Sequence, residues 1–186
     1  MKQMKLSLLA ILGFMTFGLA VSAQEKTVMV GGAAMYPNKN IIENAVNSKD
    51  HTTLVAAVKA ADLVETLKGK GPFTVFAPTN AAFDKLPKGT VETLLKPENK
   101  KMLQNILTYH VVAGKWSAAD IAKAIKAGKG KATIKAVNGG TLTAWMEGKD
   151  LYITDEKGDK SKVTIADVNQ SNGVIHVVDT VLLPKK

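Results

Sequence analysis

From Gly130 onward the apolar residues of this chain recur at every second position, and that period constrains its fold more than any other feature. Alternation of this kind marks β-strands with one buried face and one open face. Segments 132–137, 141–146, 151–154, 161–165 and 173–183 read as strands. Turn-forming stretches at 138–140, 147–149, 156–160 and 169–173 separate them. The last segment, "GVIHVVDTVLLP", is different. His176 shares one face with Val174 and Val178, while Ile175 and Val177 fill the other. Apolar on both sides, it is expected to be a buried central strand.

The first half of the chain carries the helical period. Leu54, Val55, Val58, Leu63 and Leu67 fall near one helical stripe, which Gly69 and Gly71 end. Asn40 with Glu43, and Ser117 with Asp120, are capping-box patterns; the second opens a helix to about Ala127. Phe73 to Ala77 reads as a short strand. Pro78 ends it, and Thr79 caps a short helix carrying Phe83 and Leu86. Val91, Leu94 and Leu95 mark another helical turn. Pro97 begins a helix with Met102, Leu103, Ile106 and Leu107 on its apolar face. Extended character resumes over 108–112. Helices followed by hairpin-linked strands predict an α+β domain, its helices packed on a largely antiparallel sandwich or wedge.

Residues 1–23 read as a secretory signal peptide. Lys2 and Lys5 precede an apolar run from Leu6 to about Val21, and Val21-Ser22-Ala23 offers the small residues of a cleavage site. Residues 24–36 read as a lead-in, in which Val28 and Val30 alternate like a short strand or tether, and 37–184 as one domain. Cleavage after Ala23 would leave 163 of 186 residues, enough for a real core. The expected location is periplasmic or extracellular, with no stable membrane insertion after cleavage.

Composition narrows the function. The chain has no cysteine, which removes thiol nucleophiles and thiolate metal sites. Its net charge is +9, or +7 once Lys2 and Lys5 are gone, and every cation is lysine. Arginine is the residue suited to bidentate reading of phosphate and guanine, so nucleic acid is a poor partner. Lysine alone suits loose attraction to an anionic surface. Five lysines, Lys123, Lys126, Lys129, Lys131 and Lys135, occupy a stretch without acids from Ile121 to Met146 and form a candidate docking patch.

Catalytic patterns are missing. None of Ser48, Ser117, Ser161 and Ser171 sits in a nucleophile elbow. His51, His110 and His176 lack metal-ligand spacing, and "TDEKGDK" lacks the ligand series of a calcium loop, so it reads as a solvated turn. No cofactor is implied. Tyr109 and His110 are adjacent, but if 108–112 is extended they point to opposite faces and cannot pair as an acid-base dyad. His176 and His110 therefore read as core histidines, with Tyr109 beside a recognition surface.

Three segments, "FTVFAPTNAAF" (73–83), "LTYHVVAG" (107–114) and "NGVIHVVDTVLLP" (172–184), together resemble the signature blocks and central Tyr-His motif of the fasciclin domain family. The layout resembles a bacterial secreted single-domain member. The resemblance implies helices on a β-wedge, and adhesion or matrix interaction without catalysis. It implies Thr79, Asn80, His176 and Asp179 as structural motif positions. In animal members the Tyr-His region is linked to integrin binding, which corresponds to Tyr109 and His110. The expected partner is a surface or matrix protein or an anionic glycan. The alternative is a periplasmic carrier of a small apolar ligand, with Phe76, Phe83, Met102 and Trp145 lining the cleft.

Overall fold

The structure is a computed structural model describing residues 27–185, so the expected signal peptide lies outside the described residues. The described part of the lead-in is more than a tether. It forms a hairpin of β1 (Val28–Val30) and β2 (Ala33–Met35), turned at Gly31 and Gly32, and it buries Val30 and Met35. The helical layer follows: α1 (Ile41–Ala45), α2 (Thr52–Ala60) and α3 (Val64–Lys68). The one helical stripe read from Leu54 to Leu67 is in fact two helices, because the chain turns at Asp62 with φ of 55°. Both expected capping boxes are present, at Asn40 and Ser117.

Strand β3 (Phe73–Pro78) leads through α4 (Asn80–Asp84), α5 (Thr90–Leu94) and α6 (Lys100–Tyr109) into β4 (Val111–Ala113). Helix α7 (Ala118–Ala127) precedes the hairpin strands β5 (Lys131–Lys135), β6 (Thr141–Glu147), β7 (Asp150–Thr154), β8 (Lys160–Gln170) and β9 (Gly173–Val178). Seven of these strands form one sheet in the order β4-β3-β9-β8-β7-β6-β5. Every pairing is antiparallel except β3 with β9. Val112 bridges to Ala136, and the Val137 amide donates to the Val111 carbonyl at 2.8 Å, so the two ends of the sheet nearly meet.

Two strand boundaries differ from the sequence reading. β8 continues to Gln170, because two register shifts bend it from β7 across to β9. β9 stops at Val178 rather than at 183. There the Asp179 carboxylate accepts from the Lys162 amide at 2.9 Å, and the tail leaves the ladder but stays buried at Val181 and Leu182.

The central strands divide the interior. On β3, Val75 and Ala77 face one core with the helices, while Phe76 faces the other. β9 matches it, with Ile175 and Val177 on the helical side and Val178 on the opposite side. All six residues of β9 are buried, as a two-faced apolar strand requires. The second core lies within the curved sheet under α7 and holds Ile121, Leu142, Ile153 and Leu182.

Candidate functional site

The Tyr-His motif sits at the joint between helix α6 and strand β4. Residues 108–110 are not extended: Tyr109 is the last helical residue and His110 is the cap. Leu103 and Leu107 sit on the same helical face as the buried end of α6 and carry it into the core. Tyr109 is fully buried rather than beside a surface. Its hydroxyl donates to the Thr141 carbonyl at 2.7 Å and accepts from the Glu156 amide at 3.0 Å. Burial raises its pKa to about 12, so it remains a phenol.

His110 is buried to 2% exposure and is a post between three parts of the chain. Nδ1 bonds the Ile106 carbonyl at 2.9 Å, and Nε2 accepts from the Leu182 amide at 2.9 Å. Those partners fix the proton on Nδ1. Burial lowers its pKa to about 4, which keeps the ring neutral. Neither Tyr109 nor His110 can therefore present itself to a partner; as binding residues they are corrected to structural ones.

His176 has the opposite tautomer. Its Nε2 donates to the Trp116 carbonyl at 2.8 Å, and its Nδ1 accepts from the Asp167 amide at 3.3 Å. Phe76, its partner across the parallel β3–β9 ladder, stacks on the ring at 5.7 Å. Thr79 caps α4, and Asn80 reaches back to cap α2, accepting from the Thr53 amide at 3.0 Å. Asp179 ends β9 and lies 3.5 Å from Lys85. These motif positions all hold elements together.

The turn after β7 also departs from expectation. Asp155 is buried rather than solvated. It accepts from the amides of Lys157, Asp159 and Leu183. Glu156 accepts from the amides of Lys185 and Thr141, which hold its carboxyl below the ordinary range. Asn172, the first residue of the last signature block, is equally structural. It accepts from Ile41 and donates to the carbonyls of Leu67 and Gly69.

The five-lysine patch separates in space. Lys123 and Lys126 ride on α7, with Lys123 3.9 Å from Asp120. Lys129 occupies the following turn with φ of 54°. Lys131 and Lys135 point outward from β5 instead, because Ala132 and Ile134 take the inward positions. There they join residues the sequence reading did not group. The register aligns Lys131, Trp145, Tyr152 and Lys162 in one row across four strands, and Thr133, Thr143, Thr154 and Lys160 in the next. Trp145 and Tyr152 stack at 4.9 Å, the Lys160 ammonium lies 4.8 Å from the Trp145 ring, and the indole donates to Thr154 Oγ1 at 2.9 Å. Lys162 pairs with Asp150 at 2.7 Å. Lys131, Lys135 and Lys160 have no salt bridge among the described residues.

Residues 49–184 match the fasciclin domain model. The chain belongs to the fasciclin domain family. It is 49% identical over 174 residues to the Synechocystis protein sll1483, covering 93% of this chain and 89% of that one. Immunogenic protein MPB70 of Mycobacterium bovis is 37% identical over 145 residues, 75% of this chain and 66% of its own. The cell surface glycolipoprotein MPB83 of the same species is 33% identical over 172 residues, covering 90% and 70%. Among solved structures, the fasciclin domain pair of the insect cell adhesion molecule fasciclin I superposes with a TM-score of 0.71 at 19% identity. That match covers 79% of this chain and 51% of the other, and it shows the α+β fold. Within this fasciclin domain, no described helix is long and apolar enough to cross a membrane.

The four residues expected to line a ligand cleft do not converge. Met102 is 56% exposed on α6, and Trp145 lies on the outer sheet face. Phe83 packs in the helical core, and Phe76 in the second core on the other side of β3.

Proposed function

We propose that this fasciclin domain is an exported, non-enzymatic interaction module that recognises an anionic glycan through the outer face of β5–β8. The observation carrying the reading is the register itself. It sets Lys131 and Lys160 beside a stacked Trp145–Tyr152 pair on an open sheet face, with Lys135 opposite Thr141 farther along that face. Ammonium groups are compact point charges that suit the sulfates and carboxylates of an acidic polysaccharide without bidentate geometry. The contact between Lys160 and the indole restricts that side chain before any partner arrives. Thr133 and Thr143 supply hydroxyls for sugar hydrogen bonds. The leader-like residues 1–23 support export, and the cell-surface relatives support a surface setting.

The test is affinity for sulfated and uronate polysaccharides at low and high salt. Replacing Lys131, Lys135 and Lys160 by Gln removes three exposed charge contacts worth about 0.5 kcal/mol each, so affinity should fall roughly tenfold. The wild-type interaction should also weaken as salt rises. Replacing Lys123 and Lys126 on α7 should change little. Equal losses from both sets would overturn the face assignment. Binding only to a protein partner, insensitive to salt, would overturn the glycan.

A further inference from the structure

Strand β5 (Lys131–Lys135) ends the seven-stranded sheet, and β4 meets its outer edge only beyond Lys135, where Val112 bridges to Ala136. Two hydrogen bonds past the end of β5 fix which way its backbone groups face. The Ala136 amide donates to the Gly140 carbonyl on the β6 side, and the Val137 amide donates the other way, to the Val111 carbonyl. Backbone direction alternates along an antiparallel strand. Ala132 and Ile134 therefore bond towards β6. The amide and carbonyl of Thr133 and the carbonyl of Lys131 point out of the sheet. The chain after β4 does not cover them. It turns aside, with the Trp116 amide donating to Thr74 Oγ1 at 2.9 Å and the Trp116 carbonyl accepting from His176. That divergence leaves a groove of about 350 Å³, with Thr133 to Val137 on one side and Val112, Ala113 and Trp116 on the other.

The groove has two chemically different sides. Lys131, Thr133 and Lys135 are exposed on the outer face of the sheet, and exposed Lys115 follows β4. Ala132 and Ile134 face inward, on the side of Val112 and half-buried Trp116. No acidic residue lines the groove. Lysine on an edge strand blocks pairing with a like-charged strand. A second copy of this chain is thereby disfavoured: two β5 edges paired antiparallel about Thr133 would set each Lys131 against a Lys135. A strand with carboxylates at those positions meets the opposite situation.

We infer that the free edge of β5 receives an extended segment of a partner protein as an added antiparallel strand, one in which acidic and apolar residues alternate. Side chains opposite Lys131 and Lys135 lie on the outer face and are the acidic ones. Those opposite Ala132 and Ile134 turn inward, towards Val112 and Trp116, and are apolar. The residue opposite Thr133 exchanges two backbone hydrogen bonds with it. Main-chain bonds of this kind hold the segment, and the alternating side chains select it. This site is the backbone edge of β5, not the outer sheet face, so it does not depend on glycan recognition.

The test uses the capped peptide Glu-Val-Thr-Val-Glu on the whole mature protein, isotope-labelled and followed by NMR. The peptide should shift the amides of Lys131, Thr133 and Lys135 and slow hydrogen exchange at the Thr133 amide. Methylating the backbone nitrogen of its central threonine removes the donor to the Thr133 carbonyl and leaves the charge unchanged, so affinity should fall about tenfold. Thr133→Pro removes the outward amide while sparing the β5–β6 bonds, and should abolish binding. The methylated peptide provides the readout if that variant does not fold. Equal affinity for the two peptides, or shifts confined to the Trp145 indole and Lys160 with Thr133 unmoved, would mean attraction to the lysines alone and overturn the edge site. A self-associating protein with its Thr133 amide protected before any peptide is added would overturn the peptide as occupant.

Discussion

His110 should make the stability of this domain fall steeply in mild acid. The ring is buried and neutral, with Nδ1 on the Ile106 carbonyl and Nε2 on the Leu182 amide. An exposed histidine in the unfolded chain titrates near 6.5, whereas the buried one titrates at about 4. Below pH 6.5 the unfolded chain takes up a proton that the folded chain refuses. Stability from this group is thus complete above pH 6.5, declines through the window and is lost below pH 4. At about 1.4 kcal/mol per pH unit, the full loss is about 3 kcal/mol. That is a large share of the ~5–15 kcal/mol typical of a whole domain. His110→Gln should cost ~1–3 kcal/mol at neutral pH through impaired bonding to Ile106 and Leu182, and it should abolish this part of the acid slope. Urea unfolding followed by Trp116 and Trp145 fluorescence from about pH 7 to pH 4 measures both effects. His51 and His176 are also lowered by burial and steepen the curve in both proteins, so the decisive quantity is the difference between them. Parallel pH profiles for wild type and variant would rule out His110 as a source of the acid slope.

Three further substitutions probe the frame. A Cβ on Gly173 would lie 2.0 Å from the Phe73 carbonyl oxygen, inside the β3–β9 ladder, so Gly173→Ala should cost ~4 kcal/mol or more in urea unfolding. Tyr109→Phe leaves the Thr141 carbonyl and the Glu156 amide without their shared hydroxyl and should cost ~1–3 kcal/mol in thermal or urea melts. Asn172→Ala breaks three backbone contacts that join α1 and α3 to β9. It should cost ~2–4 kcal/mol and raise hydrogen exchange at the Ile41 amide.

Local signals carried well into the structure. The capping boxes at Asn40 and Ser117, the cap at Thr79 and the alternation in β5 to β7 depend on neighbours a few residues apart, and each formed as its pattern implies. The two-faced pattern around His176 was equally legible, because only a central strand buries both sides. The Tyr-His joint was misread for a physical reason. Tyr109 and the valines after it favour strands, but the apolar stripe of α6 holds the helix through Tyr109 before β4 begins. The surface of β5–β8 was hidden for another. Lys131, Trp145, Tyr152 and Lys162 are brought together only by strand register, which pairs residues far apart in the chain. Sequence proximity instead grouped Lys131 and Lys135 with the α7 lysines, which lie on a different element. Asn172 matters through long-range hydrogen bonds that no local pattern announces.

Titration of isotope-labelled protein with heparin shows directly whether the outer face of β5–β8 receives an acidic glycan. Salt-sensitive shifts are expected at the Trp145 indole and at the amides around Lys131, Lys135, Tyr152 and Lys160, with those around Lys123 and His110 unmoved. Shifts centred on α7 or on the α6–β4 joint, or no shifts at low salt, would contradict it.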